Sequence, residues 1–187
     1  MKKLLLLLLC LAMIFSFAAC GGSGDAVPAD SGSGNEESEA SDDAEPSGEY
    51  FTFATETFGG EAFTSDDVKD AKVVMVNMWE PWCGPCVGEM PDLEKLYQTY
   101  KDQGFVILGV FSDTTADDDA TKVLEDTGVT YPILRMSKEF AGFQTGYVPT
   151  TVFLTGEGAL LHEDPVIGSH TYEEWDRIVS GLLEALG

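Results

Sequence analysis

Residues 77–91 read NMWEPWCGPCVGEMP. Cys83 and Cys86 are separated by Gly84 and Pro85, and Glu89 follows Cys86 by three positions. A cysteine pair at this spacing is a redox couple, half of a metal site or a structural staple. The staple is the weakest of the three. The entropy a crosslink removes from the unfolded chain grows with the logarithm of the loop it closes, and this loop is very short.

The flanks favour redox chemistry. Residues 72–79 run apolar up to Trp79, as a strand buried on both faces does. After the pair, Met90, Leu93, Leu96, Tyr97 and Tyr100 recur at helical spacing. Cys83 therefore lies where strand gives way to helix. Unpaired backbone N–H groups and the helix dipole favour a thiolate there, and the thiolate is the attacking species. On this reading Cys83 attacks a substrate disulfide, and Cys86, one turn deeper and more buried, resolves the mixed disulfide. Pro85 in the first turn removes no helical hydrogen bond, whereas Pro91, inside the helix, is expected to kink it. Glu89 shares a helical face with Cys86. If buried, its carboxyl has a raised pKa and can take the Cys86 proton; the alternative is a solvated helix carboxylate. Glu80 and Pro81 either tune the pair or belong to a solvated loop. Trp82 is expected to cover the disulfide and Trp79 to be core.

The chain has 187 residues and a net charge of −23, with 33 acidic against 10 basic residues. That balance excludes nucleic acid as a partner, because phosphate binding requires a basic face. It also argues against tight adhesion to anionic lipid, and its simplest meaning is solubility. The charge is unevenly spread. Residues 21–49 hold nine acidic residues and no basic one, too polar to offset chain entropy by burial, so they read as a disordered, extended tether.

Before the tether, Lys2 and Lys3 precede a 14-residue apolar run from Leu4 to Phe17. A membrane-spanning helix needs about 20 such residues, so residues 1–19 read as a signal peptide. Phe17-Ala18-Ala19-Cys20 resembles the bacterial lipoprotein signal. That resemblance implies lipid on Cys20; ordinary cleavage after Ala19 is the alternative. Cys10 would be lost with the signal. The resulting organisation is a signal peptide at 1–19, a tether at 20–49 and a folded domain at 50–187, placed outside the cytoplasm, where disulfides persist.

Within 50–187 the pattern is α/β. Tyr50, Phe51 and Phe53 suggest an edge strand, and Thr64 with Asp67 a capped turn. A second buried strand spans 105–112, then an acidic loop 113–119, a helix 120–126 and a strand from Tyr131 to Leu134. Residues 137–143 read as one or two helical turns. Residues 150–155 and 159–168 flank Gly156-Glu157-Gly158 as a hairpin. Thr171 and Glu174 form a capping box that opens a last helix, with Ile178, Leu182, Leu183 and Leu186 on its apolar side. His162 and His170 are expected to be surface or satisfied side chains, and Asp117-Asp118-Asp119 a solvated face rather than a cation site.

The buried strand, Trp82-Cys83-Gly84-Pro85-Cys86 at a helix start and Val148-Pro149-Thr150 before a late strand together resemble the thioredoxin superfamily. The segment between Asp113 and Leu134 and the CxxCxxExP pattern ending at Pro91 resemble its TlpA/ResA-type, membrane-tethered thiol–disulfide oxidoreductases. The resemblance covers 50–187. It implies a mixed sheet flanked by helices on both faces with an extra α/β insertion, and a cis bond before Pro149 beside the cysteines. It implies that Val148 pairs with an extended client, with Trp82, Gly84, Pro85 and Pro149 completing the binding surface. It further implies no cofactor beyond the Cys83–Cys86 disulfide, no metal and a monomer. The implied clients are disulfide-containing exported proteins, including those of cytochrome c maturation, and the implied electron donor is a membrane thiol carrier of the CcdA/DsbD type. Thioredoxins carry a buried Asp where this chain has Asn77, and that departure strengthens the case for Glu89. Gly-Pro between the cysteines matches reducing proteins near about −270 mV rather than oxidants near about −120 mV. Two alternatives share the fold. A thiol peroxidase needs a Pro-x-x-x-Thr-x-x-Cys site that is absent here, and a copper chaperone of the Sco type resembles CxxxC plus a distal His.

Overall fold

The computed structural model describes residues 50–187. The expected signal peptide, the tether and Cys20 lie outside the described residues. The chain order is β1 (Ala54–Glu56), β2 (Ala62–Thr64), β3 (Val73–Met78), α1 (Gly84–Tyr100), β4 (Phe105–Phe111), α2 (Asp117–Thr127), β5 (Ile133–Arg135), β6 (Thr150–Leu154), β7 (Val166–Ile167) and α3 (Tyr172–Leu186). Short 3₁₀ turns occupy Ser65–Asp67, Lys101–Gln103 and Phe140–Phe143.

The apolar run before the cysteines becomes the central strand. The five-stranded sheet has the order β5-β4-β3-β6-β7. β3 pairs parallel with β4 and antiparallel with β6, so every residue of β3 is buried. Alternation then divides its side chains. Val73, Met75 and Trp79 join a core built with Met90, Leu93 and Leu96 of α1 and Trp175, Val179 and Leu183 of α3, which also takes Ala120 of α2. Val74, Val76 and Met78 face the other way, onto Phe53, Val68 and Phe140. The sheet is thus mixed and covered on both sides: α-helices on one, the N-terminal segment and 3₁₀ turns on the other. Asn77 falls on the helical side by the same alternation, opposite Gly109 and Thr151. Among the described residues, no helix is long and apolar enough to cross a membrane.

Several local expectations are revised. Residues 50–53 are not a strand. Phe51 and Phe53 instead pack on Phe143 and Phe140, each with a ring separation of 4.6 Å, and pairing starts at Ala54 with β2. Helix α2 begins three residues early, because acidic side chains are favoured in a first turn. Asp117 also holds Arg135 through two hydrogen bonds of 2.6 and 2.7 Å. The return arm of the last hairpin is broken. Only a bridge at Leu154–Leu160 and the two-residue β7 remain, consistent with Pro165, which cannot donate to a ladder. Helix α3 is rotated from its expected face. Trp175, Val179 and Leu183 are buried, while Leu186 is 42% exposed. Helix α1 continues through Pro91.

One turn fastens the N-terminal segment. Gly158 has φ +95°, and a Cβ there would lie 2.1 Å from the Phe51 carbonyl oxygen. The Phe51 N–H donates to the Gly158 carbonyl at 2.9 Å. Gly158→Ala should therefore destabilise the domain by about 2–3 kcal/mol, read as a lowered urea midpoint with an unchanged slope.

Candidate active site

Cys83 is the N-cap of α1, in an extended conformation, and its Sγ accepts a hydrogen bond from the Cys86 N–H at 3.2 Å. The Cys83 N–H in turn donates to the Glu80 carbonyl at 3.0 Å, which fixes the turn leading into the helix. The two cysteines are joined as a disulfide with a Cα–Cα separation of 5.3 Å. Cys83 is 6% and Cys86 1% exposed, so Cys83 is the sulfur nearer solvent. A thiolate on Cys83 would sit at the N-cap, the positive end, of a 17-residue helix.

The segment before β6 comes up to this sulfur from the other side of the chain. The Val148–Pro149 peptide bond is cis, and the Val148 carbonyl oxygen lies 3.6 Å from Cys83 Sγ. Thr150 holds the segment: its hydroxyl donates to the Tyr147 carbonyl at 2.7 Å. The Pro149 carbonyl is taken by the Gly168 N–H at 2.9 Å. Gly84 and Pro85 are exposed next to the cysteines. Trp82 and Tyr147, 68% and 69% exposed, stand at a shallow, mainly apolar pocket of about 280 Å³ that also has Met78, Val110, Met136 and Val148 in its wall. The Trp82 ring is thus presented to solvent at the edge of the site, and Trp79 is 1% exposed in the core.

One turn along α1 from Cys86, Glu89 is only 3% exposed. Its Oε1 accepts from Asn77 Nδ2 at 3.1 Å. Its Oε2 accepts from the His170 N–H at 3.1 Å and from Trp175 Nε1 at 3.3 Å. Asn77 Nδ2 also donates to Thr151 Oγ1 at 3.1 Å. Burial pushes the Glu89 carboxyl above its ordinary value, and the donors from His170, Asn77 and Trp175 offset part of that rise. A carboxyl of raised proton affinity on the helical face of Cys86 is equipped to accept a thiol proton. The solvated alternative for Glu89 is excluded by its burial.

Asn77 was already tied to Glu89 by the resemblance, but Thr151, His170 and Trp175 escaped the sequence reading as its surroundings, since each is remote from Glu89 along the chain. The Thr171–Glu174 capping box flagged the place where two of them sit but not what they touch. Glu80 is a clamp rather than part of a solvated loop. It is buried and takes the Ser112 N–H and hydroxyl at 3.0 and 2.6 Å and the Asp113 N–H at 3.3 Å, tying the end of β3 to that of β4. His162 is exposed and its Nδ1 donates to the Asp164 carbonyl at 2.7 Å. His170 is not a satisfied residue: its Nε2 is buried without a partner. Among the described residues, no cluster of three His, Cys, Asp or Glu side chains is arranged to hold a metal ion.

Comparison with known proteins matches this architecture. The AhpC/TSA family matches residues 48–159. The thioredoxin-like protein YneN of Bacillus subtilis is 32% identical over 127 residues, covering 67% of this chain and 73% of that protein. The thiol-disulfide oxidoreductase ResA of Bacillus thuringiensis is 28% identical over 124 residues, covering 65% and 69%. Among solved structures, a thiol:disulfide interchange protein of the thioredoxin family from Chlorobium tepidum superposes with a TM-score of 0.63 at 26% identity, covering 75% of this chain and 99% of that one.

Proposed function

The chain belongs to the AhpC/TSA family and is a thioredoxin-like thiol–disulfide oxidoreductase, and from that premise we propose that it reduces disulfides of exported proteins by dithiol exchange through Cys83-Gly84-Pro85-Cys86. The observation that carries this reading is the N-cap position of Cys83, with its sulfur 3.6 Å from the Val148 carbonyl. An extended client strand laid against Val148 has its own disulfide delivered to that sulfur.

In the reduced protein the Cys83 thiolate attacks one client sulfur. The client S–S bond breaks, and the electron pair leaves on the other client sulfur. Cys86 then attacks Cys83 Sγ, giving its proton to Glu89 as it does so. The mixed disulfide between Cys83 and the attacked client sulfur breaks as the Cys83–Cys86 bond forms, and that client sulfur departs as a thiolate, so two electrons have moved to the client. Trp82, Gly84, Pro85, Val148 and Pro149 form the surface the client covers. Regeneration needs two electrons from a dithiol donor, for which a membrane carrier of the CcdA/DsbD type fits an extracytoplasmic location.

That location, the signal peptide at 1–19, lipid on Cys20 and the tether at 20–49 complete the proposal. They rest on the sequence of the first 49 residues. The client class is exported proteins carrying disulfides, with apocytochromes, methionine sulfoxide reductases and misoxidised proteins as candidates.

Cys86→Ala tests the proposal. The variant should accumulate mixed disulfides between Cys83 and its clients, seen as dithiothreitol-sensitive bands in non-reducing gels and identified by mass spectrometry. An absence of such adducts in a correctly folded variant contradicts dithiol exchange. A redox titration against glutathione tests the direction, with a potential above about −150 mV favouring an oxidant.

A further inference from the structure

The shallow pocket of about 280 Å³ beside the cysteines has its floor on the sheet face turned away from α1. Strand register puts it there. Met78 and Val110 are paired at the ends of β3 and β4, and both side chains point to the face covered by Phe53 and Phe140. Met136 follows β5 on the same side, its N–H donating to the Phe111 carbonyl at 3.0 Å. Gln144 and Tyr147 carry the wall round to Val148, and Trp82 completes it next to Cys83. We propose that this pocket selects clients by receiving a bulky apolar side chain within two residues of the client's disulfide cysteine. The proposal rests on the reading of Cys83 as the sulfur that attacks that disulfide, and adds which clients are preferred.

Continuity with the reacting sulfur fixes where the occupant comes from. Val148 stands in the pocket wall, while its carbonyl oxygen lies 3.6 Å from Cys83 Sγ. An extended client advances about 3.3 Å per residue. The side chains one or two positions from its cysteine are therefore the ones that reach the pocket. The Tyr147 carbonyl accepts the Thr150 hydroxyl at 2.7 Å, so the backbone that carries the Tyr147 ring is held in place. Size points to a side chain rather than a free small molecule. Small-molecule sites are enclosing cavities of about 300–1,000 Å³, whereas this pocket is shallow and open.

Polarity fixes what that side chain is. The lining is mainly apolar, and the exposed rings of Trp82 and Tyr147 flank it. An apolar group laid between them removes ring surface from water, which favours binding in proportion to the area covered. A client carboxylate is disfavoured in the same place. Among the described residues that line the pocket there is no lysine or arginine to pair with it. Glu80 is the acidic member of the wall, and its oxygens already take the Ser112 N–H and hydroxyl and the Asp113 N–H. A second acidic group would lose water beside it without gaining a partner. The rest of the domain adds to this bias, since residues 50–187 carry 24 acidic against 8 basic residues.

The test mixes reduced protein with fluorogenic peptide disulfides and measures the second-order rate of their reduction. The peptides are identical except at one residue, two or one positions before or after the cysteine, which is phenylalanine, alanine or glutamate. At the favoured position the phenylalanine peptide should react about tenfold faster than the alanine peptide, and the glutamate peptide more slowly than either. Tyr147→Ala and Met136→Ala should bring the phenylalanine-to-alanine ratio down towards one. The ratio compares two peptides on one protein, so a general loss of activity or of folded protein cancels from it. A wild-type ratio near one at all four positions overturns the pocket, and so does a ratio that neither variant lowers. A glutamate peptide that outpaces the phenylalanine peptide overturns it as well. If the wild-type protein reduced none of the peptides, the pocket would fall together with the exchange reaction it rests on.

Discussion

Replacing Cys83 by serine should abolish disulfide exchange, by on the order of 10³-fold or more, without unfolding the domain. A serine oxygen keeps the N-cap, since a hydroxyl accepts the N–H of residue 86 as well as sulfur does. It cannot attack a disulfide, because the alkoxide is not accessible at neutral pH and an S–O bond is no substitute for the exchanged S–S bond. Cys86→Ser should show a different defect. The first attack by Cys83 persists, and only resolution fails. Rates of insulin-disulfide reduction distinguish the two, together with the amount of trapped adduct. If Cys83→Ser retained the wild-type rate, the assignment of the nucleophile would be wrong. The loss of the disulfide itself should cost little stability in either variant, as the loop it closes is short.

Glu89→Gln carries the second large effect. Removing a general base of this kind should slow the resolving step by about 10²-fold, with the greatest loss between the raised ionisation of Glu89 and that of the Cys86 thiol; below that window the wild-type carboxyl is itself protonated and the two proteins converge. As pH rises toward the thiol's own ionisation, the variant should recover. A uniform loss across pH 5–9 would instead indicate misplacement of Cys86. The same group has a signature in stability. Its pKa is higher in the folded than in the unfolded chain. Below the ordinary carboxyl value both states are protonated. Between that value and the raised one, the folded state holds a proton that the unfolded state has released. Wild-type stability relative to Glu89→Gln should therefore fall as pH rises through that window and level off above it. Urea midpoints of both proteins from pH 4 to 9 measure the difference. An opposite slope would mean that the hydrogen bonds from Asn77, His170 and Trp175 outweigh burial.

The comparison between the sequence and the folded chain is instructive at particular residues. β3 and α1 were legible because each carries a strong periodic signal: a continuous apolar run, and apolar residues at three and four. Cys83, Cys86 and Pro149 were legible because their motifs are local. The 50–53 segment misled because aromatic residues in a row satisfy strand preference whether they pair or plug a core. The turn of α3 toward Trp175 was hidden because Ile178, Leu182, Leu183 and Leu186 form an equally apolar stripe, whereas Trp175 meets its partner Phe153, with ring centroids 6.2 Å apart, only in the folded chain. Glu80 stayed open between tuning the pair and a solvated loop, since its partners, Ser112 and Asp113, are more than thirty positions away.

From the amino-acid order alone came the α/β layering, the strand-to-helix junction, the cysteine pair on it and the candidacy of Glu89. These follow from periodicity and spacing, which act over a few residues and leave a direct trace in the chain. The tertiary structure alone decided that the Glu89 carboxyl is buried and that Asn77, His170 and Trp175 converge on it. Desolvation and hydrogen-bond partnership are properties of groups brought together by folding across 12 to 86 residues of chain, and no local pattern records which groups those will be.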